Sequence, residues 1–97
     1  MTKAFKIYIF GQVQSVGYRK FLHKKGLELG LLGYVRNLED GRVEVVAKGE
    51  GKAIEKLFNY CNEGPTKAVI EKIEIVEANH TNKTFENLGE FEVKTDL

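Results

Sequence analysis

The sequence has few of the residues that mark secreted, membrane or metal-binding proteins. Its one cysteine, Cys61, excludes an intrachain disulfide and favours a reducing, cytoplasmic location. No apolar run is long enough to span a bilayer, and residues 1–6 lead into alternating sequence without a signal-peptide pattern. The two histidines, His23 and His80, have no partner at metal-ligand or triad spacing. We therefore expect no metal, no cofactor and no membrane association.

The residues that are present are those of an ordinary globular domain. The chain has 97 residues, of which 42% are hydrophobic and 30% are charged. This size predicts one domain, residues 1–97, with a single two-layer core. We find no linker and no low-complexity tract, and nothing in the composition requires more than a monomer.

The net charge of +1 conceals an uneven distribution of charge. Residues 1–37 carry seven Lys or Arg and one acid, whereas residues 38–97 carry eight Lys or Arg and thirteen acids. An anion site is therefore expected in the first part of the chain. Alternatively, Lys20, Lys24 and Lys25 form an ordinary solvated helix face, an interpretation that does not account for Arg19 and Arg36.

Hydrophobic periodicity predicts five strands and two helices. The strands are expected near residues 5–10, 34–37, 42–48, 69–76 and 91–93, and the helices near residues 18–29 and 54–61. Asp40-Gly41 is typical of a hairpin turn, and Gly64-Pro65 ends the second helix. Residues 78–89 resemble a polar loop. On the fourth strand, Val69, Ile73 and Ile75 are expected to share one side.

The order β-α-β-β-α-β, with one further strand, predicts an α+β fold of the ferredoxin-like class. This fold is a two-layer sandwich in which two helices cover one face of a mostly antiparallel sheet. A helical crossover makes strands 1 and 2 parallel, with strand 3 between them. Residues 11–19 and Asn37 then lie at the same sheet edge, roughly 10 Å apart.

The segment that joins strand 1 to the first helix can bind an anion. Backbone N–H groups at a helix N-terminus lack intrahelical partners, and the helix dipole adds positive charge there. Gly11 and Gly17 allow tight backbone curvature, and Arg19 offers a planar cationic fork. From spacing alone, a plain connection with a surface arginine is at least as good an interpretation. Cys61, on an apolar helix face, is interpreted as a buried, inert thiol.

Two motifs carry a resemblance to a known family. Gly11–Arg19, with the sequence GQVQSVGYR, resembles the acylphosphatase signature G-x-V-Q-G-V-x-[FY]-R. Gly33–Asn37, with the sequence GYVRN, resembles a second family stretch, G-[WY]-V-x-N. The run Asp40–Ala47 and Gly64-Pro65 also resemble the family, and the matches keep family order across about residues 5–76.

The resemblance implies a ferredoxin-like fold and metal-independent hydrolysis of acyl phosphates to a carboxylate and inorganic phosphate. It also implies that Arg19 binds phosphate and that Asn37 positions the attacking water. The implied phosphate loop uses the backbone amides of Gln14, Ser15, Val16, Gly17, Tyr18 and Arg19. Ser15 departs from the pattern, because the family usually has glycine there. A positive φ at serine would cost about 1 kcal/mol.

Two alternatives remain. Ferredoxin-like folds also form non-catalytic modules that bind RNA or small anions, using aromatic side chains on the open sheet face. Tyr8, Phe10 and Tyr34 are candidates, but the RNP octamer is missing and the charge is near neutral, so we expect no nucleic-acid partner. Tyr8 and Phe10 are instead expected in the core or under the final strand. Acylphosphatase-like domains also occur inside larger carbamoyl-transfer proteins; a stand-alone enzyme is favoured because the chain ends at Leu97.

Overall fold

The computed structural model describes residues 1–94 and contains the predicted order of elements. Residues 95–97, the last three of the expected domain 1–97, lie outside the described residues. The elements are β1 (Thr2–Gln12), α1 (Tyr18–Glu28), β2 (Leu32–Asn37), β3 (Val43–Glu50), α2 (Gly51–Glu63), β4 (Val69–Ala78), α3 (Lys83–Glu86) and β5 (Glu92–Val93). The α+β, ferredoxin-like arrangement predicted from the sequence is confirmed.

The five strands form one sheet in the order β4-β1-β3-β2-β5. β3 pairs antiparallel with β1 on one side and with β2 on the other. β1 and β2 therefore run parallel to each other, as the order of elements predicts. Their C-terminal ends, at Gln12 and Asn37, lie at the same edge of the sheet. β5 extends the sheet beyond β2 in a parallel pairing.

The core lies between α1, α2 and one face of the sheet. Alternate residues of the central strands are buried there, including Ile7 and Ile9 of β1 and Val43 and Val45 of β3. The period-two pattern that predicted these strands therefore faces the helices. On α2 the buried residues are Ile54, Leu57 and Cys61, which follow the predicted helical stripe. Each large apolar side chain buried in this way contributes about 1.5–3 kcal/mol to folding.

A buried hydrogen bond fixes the start of α1 against the end of α2. The Tyr18 hydroxyl donates to the carbonyl oxygen of Cys61 at 2.6 Å. Cys61 lies in the last turn of α2, where carbonyl groups lack intrahelical donors, so the phenol satisfies a group that would otherwise be buried without a partner. The Cys61 side chain is itself buried, and burial raises the pKa of its thiol to about 12. The interpretation of Cys61 as a buried thiol is confirmed.

The sequence interpretation of β4 was wrong at its first residue. Val69 was expected on the same side as Ile73, but Val69 is 51% exposed, whereas Ile70 and Ile73 pack against the core. The register between β1 and β4 shifts at Phe10/Gly11, so an extra residue on β4 reverses the alternation. Gly11 permits this bulge, because it has a φ of 133° and a Cβ there would overlap the Val69 carbonyl.

Two further expectations about the face opposite α1 and α2 were wrong. The predicted polar loop 78–89 contains the short helix α3, whose Phe85 is buried against Ala4 and Val46. A four-residue helix is too short to show periodicity, so the sequence pattern conceals it. Tyr8 and Phe10 lie neither in the core nor under the final strand. They lie half-buried on this opposite face, with the Arg42 guanidinium 5.0 Å and 5.6 Å from the two ring centroids.

Candidate active site

The loop between β1 and α1 is held at both ends by buried side chains. Val13 and Tyr18 are each only 1% exposed and pack into the main core. Val16, in the middle of the loop, packs partly against the same core. The intervening residues Ser15 and Gly17 are exposed. The apolar residues of the motif therefore fix the loop, and its backbone is presented to solvent.

The loop backbone turns through two left-handed conformations. Ser15 has φ 61° and Gly17 has φ 80°, and Ser15 is the only non-glycine residue with positive φ in residues 1–94. Gly17 is also the N-cap of α1, without a side-chain cap and without an acid in the first turn. The first helical hydrogen bond runs from the Phe21 N–H to the Gly17 carbonyl. The N–H groups of the residues before Phe21 lie at the N-terminal end of α1, where the helix dipole favours an anion.

A cavity of about 250 Å³ opens beside this loop and brings the two predicted motifs together. Its lining residues are Val13, Ser15, Gly17, Tyr18, Arg19, Lys20, His23, Asn37 and Val93. None of these residues is acidic, so the described part of the lining favours an anionic ligand. Gln14 and Val16, which the family resemblance places in the phosphate loop, are not among the lining residues.

Asn37 projects a buried acceptor at this site. Its Oδ1 atom is inaccessible to solvent and has no hydrogen-bond partner within residues 1–94. A buried acceptor without a partner costs about 1–3 kcal/mol, so its presence in a residue that lines the cavity makes Asn37 a candidate functional residue. β2 ends at Asn37, which places this side chain beside the phosphate loop.

Arg19 lies in the first turn of α1 and also lines the cavity. Its Nη1 donates to the carbonyl oxygen of Lys94 at 3.2 Å. This hydrogen bond holds the guanidinium beside Lys94, the residue that follows β5. Arg36, the other arginine considered as an anion ligand from the sequence, does not line this cavity. Its Nε donates to the Glu44 carboxylate at 2.6 Å, which raises the pKa of Arg36.

The side chain of Gln14 connects the loop between β1 and α1 to the β2–β3 turn. Its Nε2 atom donates to the carbonyl oxygens of Leu38 and Arg42, at 2.8 Å and 3.0 Å. The signature motif marks this position, but only the fold shows which carbonyls the amide reaches.

Sequence reasoning missed three residues that line the cavity. Lys20 was assigned to a solvated helix face and His23 was given no role, yet both border the cavity. His23 lies four residues after Arg19, and helical spacing alone could have placed the two on the same face. Val93 comes from β5, and no local pattern relates it to α1.

Other candidate groups lie away from this cavity. Asp40, in the turn between β2 and β3, accepts hydrogen bonds from the backbone N–H and the Nε of Arg42. These bonds lower the pKa of the Asp40 carboxyl. Within residues 1–94 no three His, Cys, Asp or Glu side chains cluster as metal ligands. In the same range, no helix has the length and apolar character needed to cross a bilayer.

Comparisons with known proteins agree with this geometry. The family model "Acylphosphatase" matches residues 5–93. A curated acylphosphatase of Thermus thermophilus is 54% identical over 65 residues, covering 67% of this chain and 74% of the relative. The crystal structure of acylphosphatase from Bacillus subtilis superposes with a TM-score of 0.86 at 28% identity, covering 97% of this chain and 99% of that one. The chain belongs to the acylphosphatase family, as its two motifs indicate.

The fold also occurs as part of a longer protein. Full-length HypF superposes with a TM-score of 0.82 at 26% identity, over 98% of this chain but only 12% of the HypF chain. The same domain therefore exists both as a chain of similar length and as one part of a larger one.

The left-handed backbone at Ser15 leads to a prediction for Ser15→Gly. A φ of 61° costs an L-residue about 1 kcal/mol, which glycine avoids. We expect Ser15→Gly to retain or raise turnover of an acyl phosphate and to leave the melting temperature unchanged or slightly higher. Steady-state kinetics and thermal unfolding measure the two effects.

Ser15→Ala is the matched control, because it keeps the Cβ and removes only the hydroxyl. A large loss of kcat/KM in both variants would show that the Ser15 hydroxyl contributes to catalysis and that backbone strain is not the limiting factor.

Proposed function

We propose that this protein hydrolyses acyl phosphates to a carboxylate and inorganic phosphate, without a metal ion. In this proposal the backbone amides of residues 14–19 and the Arg19 guanidinium bind the phosphoryl group, and Asn37 positions the attacking water. The observation that carries it is the buried, unpartnered Oδ1 of Asn37, which borders the same cavity as Arg19 and the start of α1. Membership of the acylphosphatase family supports it.

The phosphoryl group needs dense positive potential from groups that do not reorganise during reaction. The backbone amides of the exposed residues Ser15 and Gly17, the N-terminal end of α1 and the fork of Arg19 supply such donors from one side of the cavity. A preorganised donor of this kind is worth about 3 kcal/mol of barrier. The buried anchors Val13 and Tyr18 support this role, because they restrict movement of the loop.

The attacking water requires an acceptor and an orientation. The Asn37 side-chain amide can hydrogen-bond to this water and direct a lone pair towards phosphorus, while the substrate's own phosphate oxygen takes the proton. The leaving group is a carboxylate, so it needs no proton from a general acid. A loose phosphoryl transition state depends mainly on positioning and charge neutralisation, which these groups can provide.

We propose further that the protein acts as a monomer in the cytoplasm and has no nucleic-acid partner. Every group assigned to the reaction comes from one chain. The buried, unpaired Cys61 is compatible with a reducing compartment. The alternative is a non-catalytic binding module, and a phosphate-release assay distinguishes it from an enzyme.

The proposed activity is tested by phosphate release from benzoyl phosphate, with and without EDTA. We expect release well above the spontaneous rate and equal rates in both conditions. Absence of catalysis in both would favour a binding module, whereas catalysis abolished by EDTA would contradict the metal-independent mechanism.

Arg19→Gln is expected to lower kcat/KM by about 100-fold or more, because it removes a permanent charge and a bidentate donor from the phosphoryl group. Lys24→Gln is the control; Lys24 is an exposed residue of α1 that does not border the cavity, and its loss should change little. Thermal unfolding of both variants separates loss of function from loss of the Arg19–Lys94 contact. Unchanged kinetics in Arg19→Gln would refute the assignment.

Asn37→Ala is expected to lower kcat by about 100-fold while the inhibition constant of inorganic phosphate stays within a factor of about three. The reason is that Asn37 is assigned to the water and not to the phosphoryl group. Asn59→Ala, at an exposed position of α2, serves as control. If phosphate inhibition weakened as much as kcat, Asn37 would instead be a phosphate ligand.

A further inference from the structure

The phosphate loop and the turn that follows Asn37 are joined by the side chain of Gln14. Gln14 is partly buried, and its Nε2 atom donates to the carbonyl oxygens of Leu38 and Arg42 at 2.8 Å and 3.0 Å. An amide NH₂ has two hydrogens, and both are used here. Leu38 directly follows Asn37, so these bonds hold the chain one residue from the amide assigned to the water.

The turn that accepts these bonds is also closed by backbone hydrogen bonds between the same residues. The Leu38 N–H donates to the Arg42 carbonyl at 2.8 Å, so that oxygen accepts from both Leu38 and Gln14. The Gly41 N–H donates in turn to the Leu38 carbonyl at 3.2 Å. Gln14 therefore binds to a small closed network, and a shift of the turn relative to the phosphate loop would break at least one of its hydrogen bonds.

Gln14 does not border the cavity that contains Asn37 and Arg19. Its side chain is therefore not expected to contact the substrate directly. The amide instead spans the gap between a loop that leads from β1 into α1 and a turn that leads from β2 into β3. These are the two segments whose relative position sets the distance from the phosphoryl group to the water.

We propose that Gln14 is a positioning residue that sets the separation between the phosphate loop and Asn37. This inference rests on the proposed function. In-line attack needs the water within about 3–3.5 Å of phosphorus, and a misplacement of about 1 Å can cost about 100-fold in rate. Phosphate binding depends on the loop and Arg19 alone, so loss of the Gln14 bonds should act on kcat more than on phosphate affinity.

The first test is Gln14→Met, which keeps the length of the side chain and removes both donors. We expect kcat for benzoyl phosphate to fall between 10-fold and 100-fold, with the inhibition constant of inorganic phosphate within about threefold of wild type. Gln12→Met is the matched control, because Gln12 is an exposed residue two positions earlier and donates no side-chain hydrogen bond within residues 1–94. Equal losses of kcat and phosphate affinity, or no loss at all, would overturn the proposal.

A double-mutant cycle tests whether Gln14 acts through Asn37. If it does, Gln14→Met should cost much less in the Asn37→Ala background than in wild type, because the group being positioned is already absent. Additive losses would show that Gln14 acts independently of Asn37. Because the cycle uses an active wild-type enzyme, its failure is distinct from failure of the proposed function, in which wild type would show no hydrolysis.

A purely structural role is distinguished by a milder variant. Gln14→Asn keeps the amide but is one methylene shorter, so it cannot reach both carbonyls. If Gln14→Met does not fold, Gln14→Asn is used for the same kinetic comparison, with thermal unfolding measured alongside. A fall in melting temperature with kcat unchanged would assign Gln14 to stability alone and refute the positioning role.

Discussion

The structure depends on the pairing of β3 between β1 and β2. Because β3 is antiparallel to both neighbours, β1 and β2 run in the same direction and end at the same edge. The buried valines of β3 hold this arrangement from beneath the helices. The two motifs of the chain follow β1 and end β2, so their meeting at one cavity is a consequence of strand order. Neither motif could form the site alone.

The proposed site consists largely of backbone amides, and this explains which side chains support it. Backbone amides cannot be aimed by rotamer, so the loop itself must be rigid, and Val13 and Tyr18 provide rigidity by burial. Tyr18 also stabilises the start of α1 in a second way, because its hydroxyl donates a hydrogen bond to the Cys61 carbonyl of α2. The side chains of these two motif residues thereby support the loop from the core side.

The sequence could predict the order of elements, the parallel course of β1 and β2, and the meeting of Ser15, Gly17, Tyr18, Arg19 and Asn37 at one cavity, because periodicity and two motifs encode them directly. It could not predict the faces of β4, because the bulge depends on how closely the backbone of Gly11 approaches Val69. The burial of Phe85 is equally non-local, since it packs on the sheet face opposite the main core. The family glycine at the position of Ser15 suggested a positive φ, but the sequence could not show whether Ser15 adopts one. In the structure its φ is 61°.

The position of β1 inside the sheet has a kinetic consequence. Thr2 pairs with Glu50 and Gln12 pairs with Val69, so both ladders of β1 join the start of the chain to segments far along it. Closing such large loops costs chain entropy before the contacts offset it, so folding is expected to be slower than in helical bundles. A nascent chain that has not yet released residues 69–78 leaves the outer edge of β1 unpaired. The phosphate loop is consequently a product of global folding and not an autonomous motif.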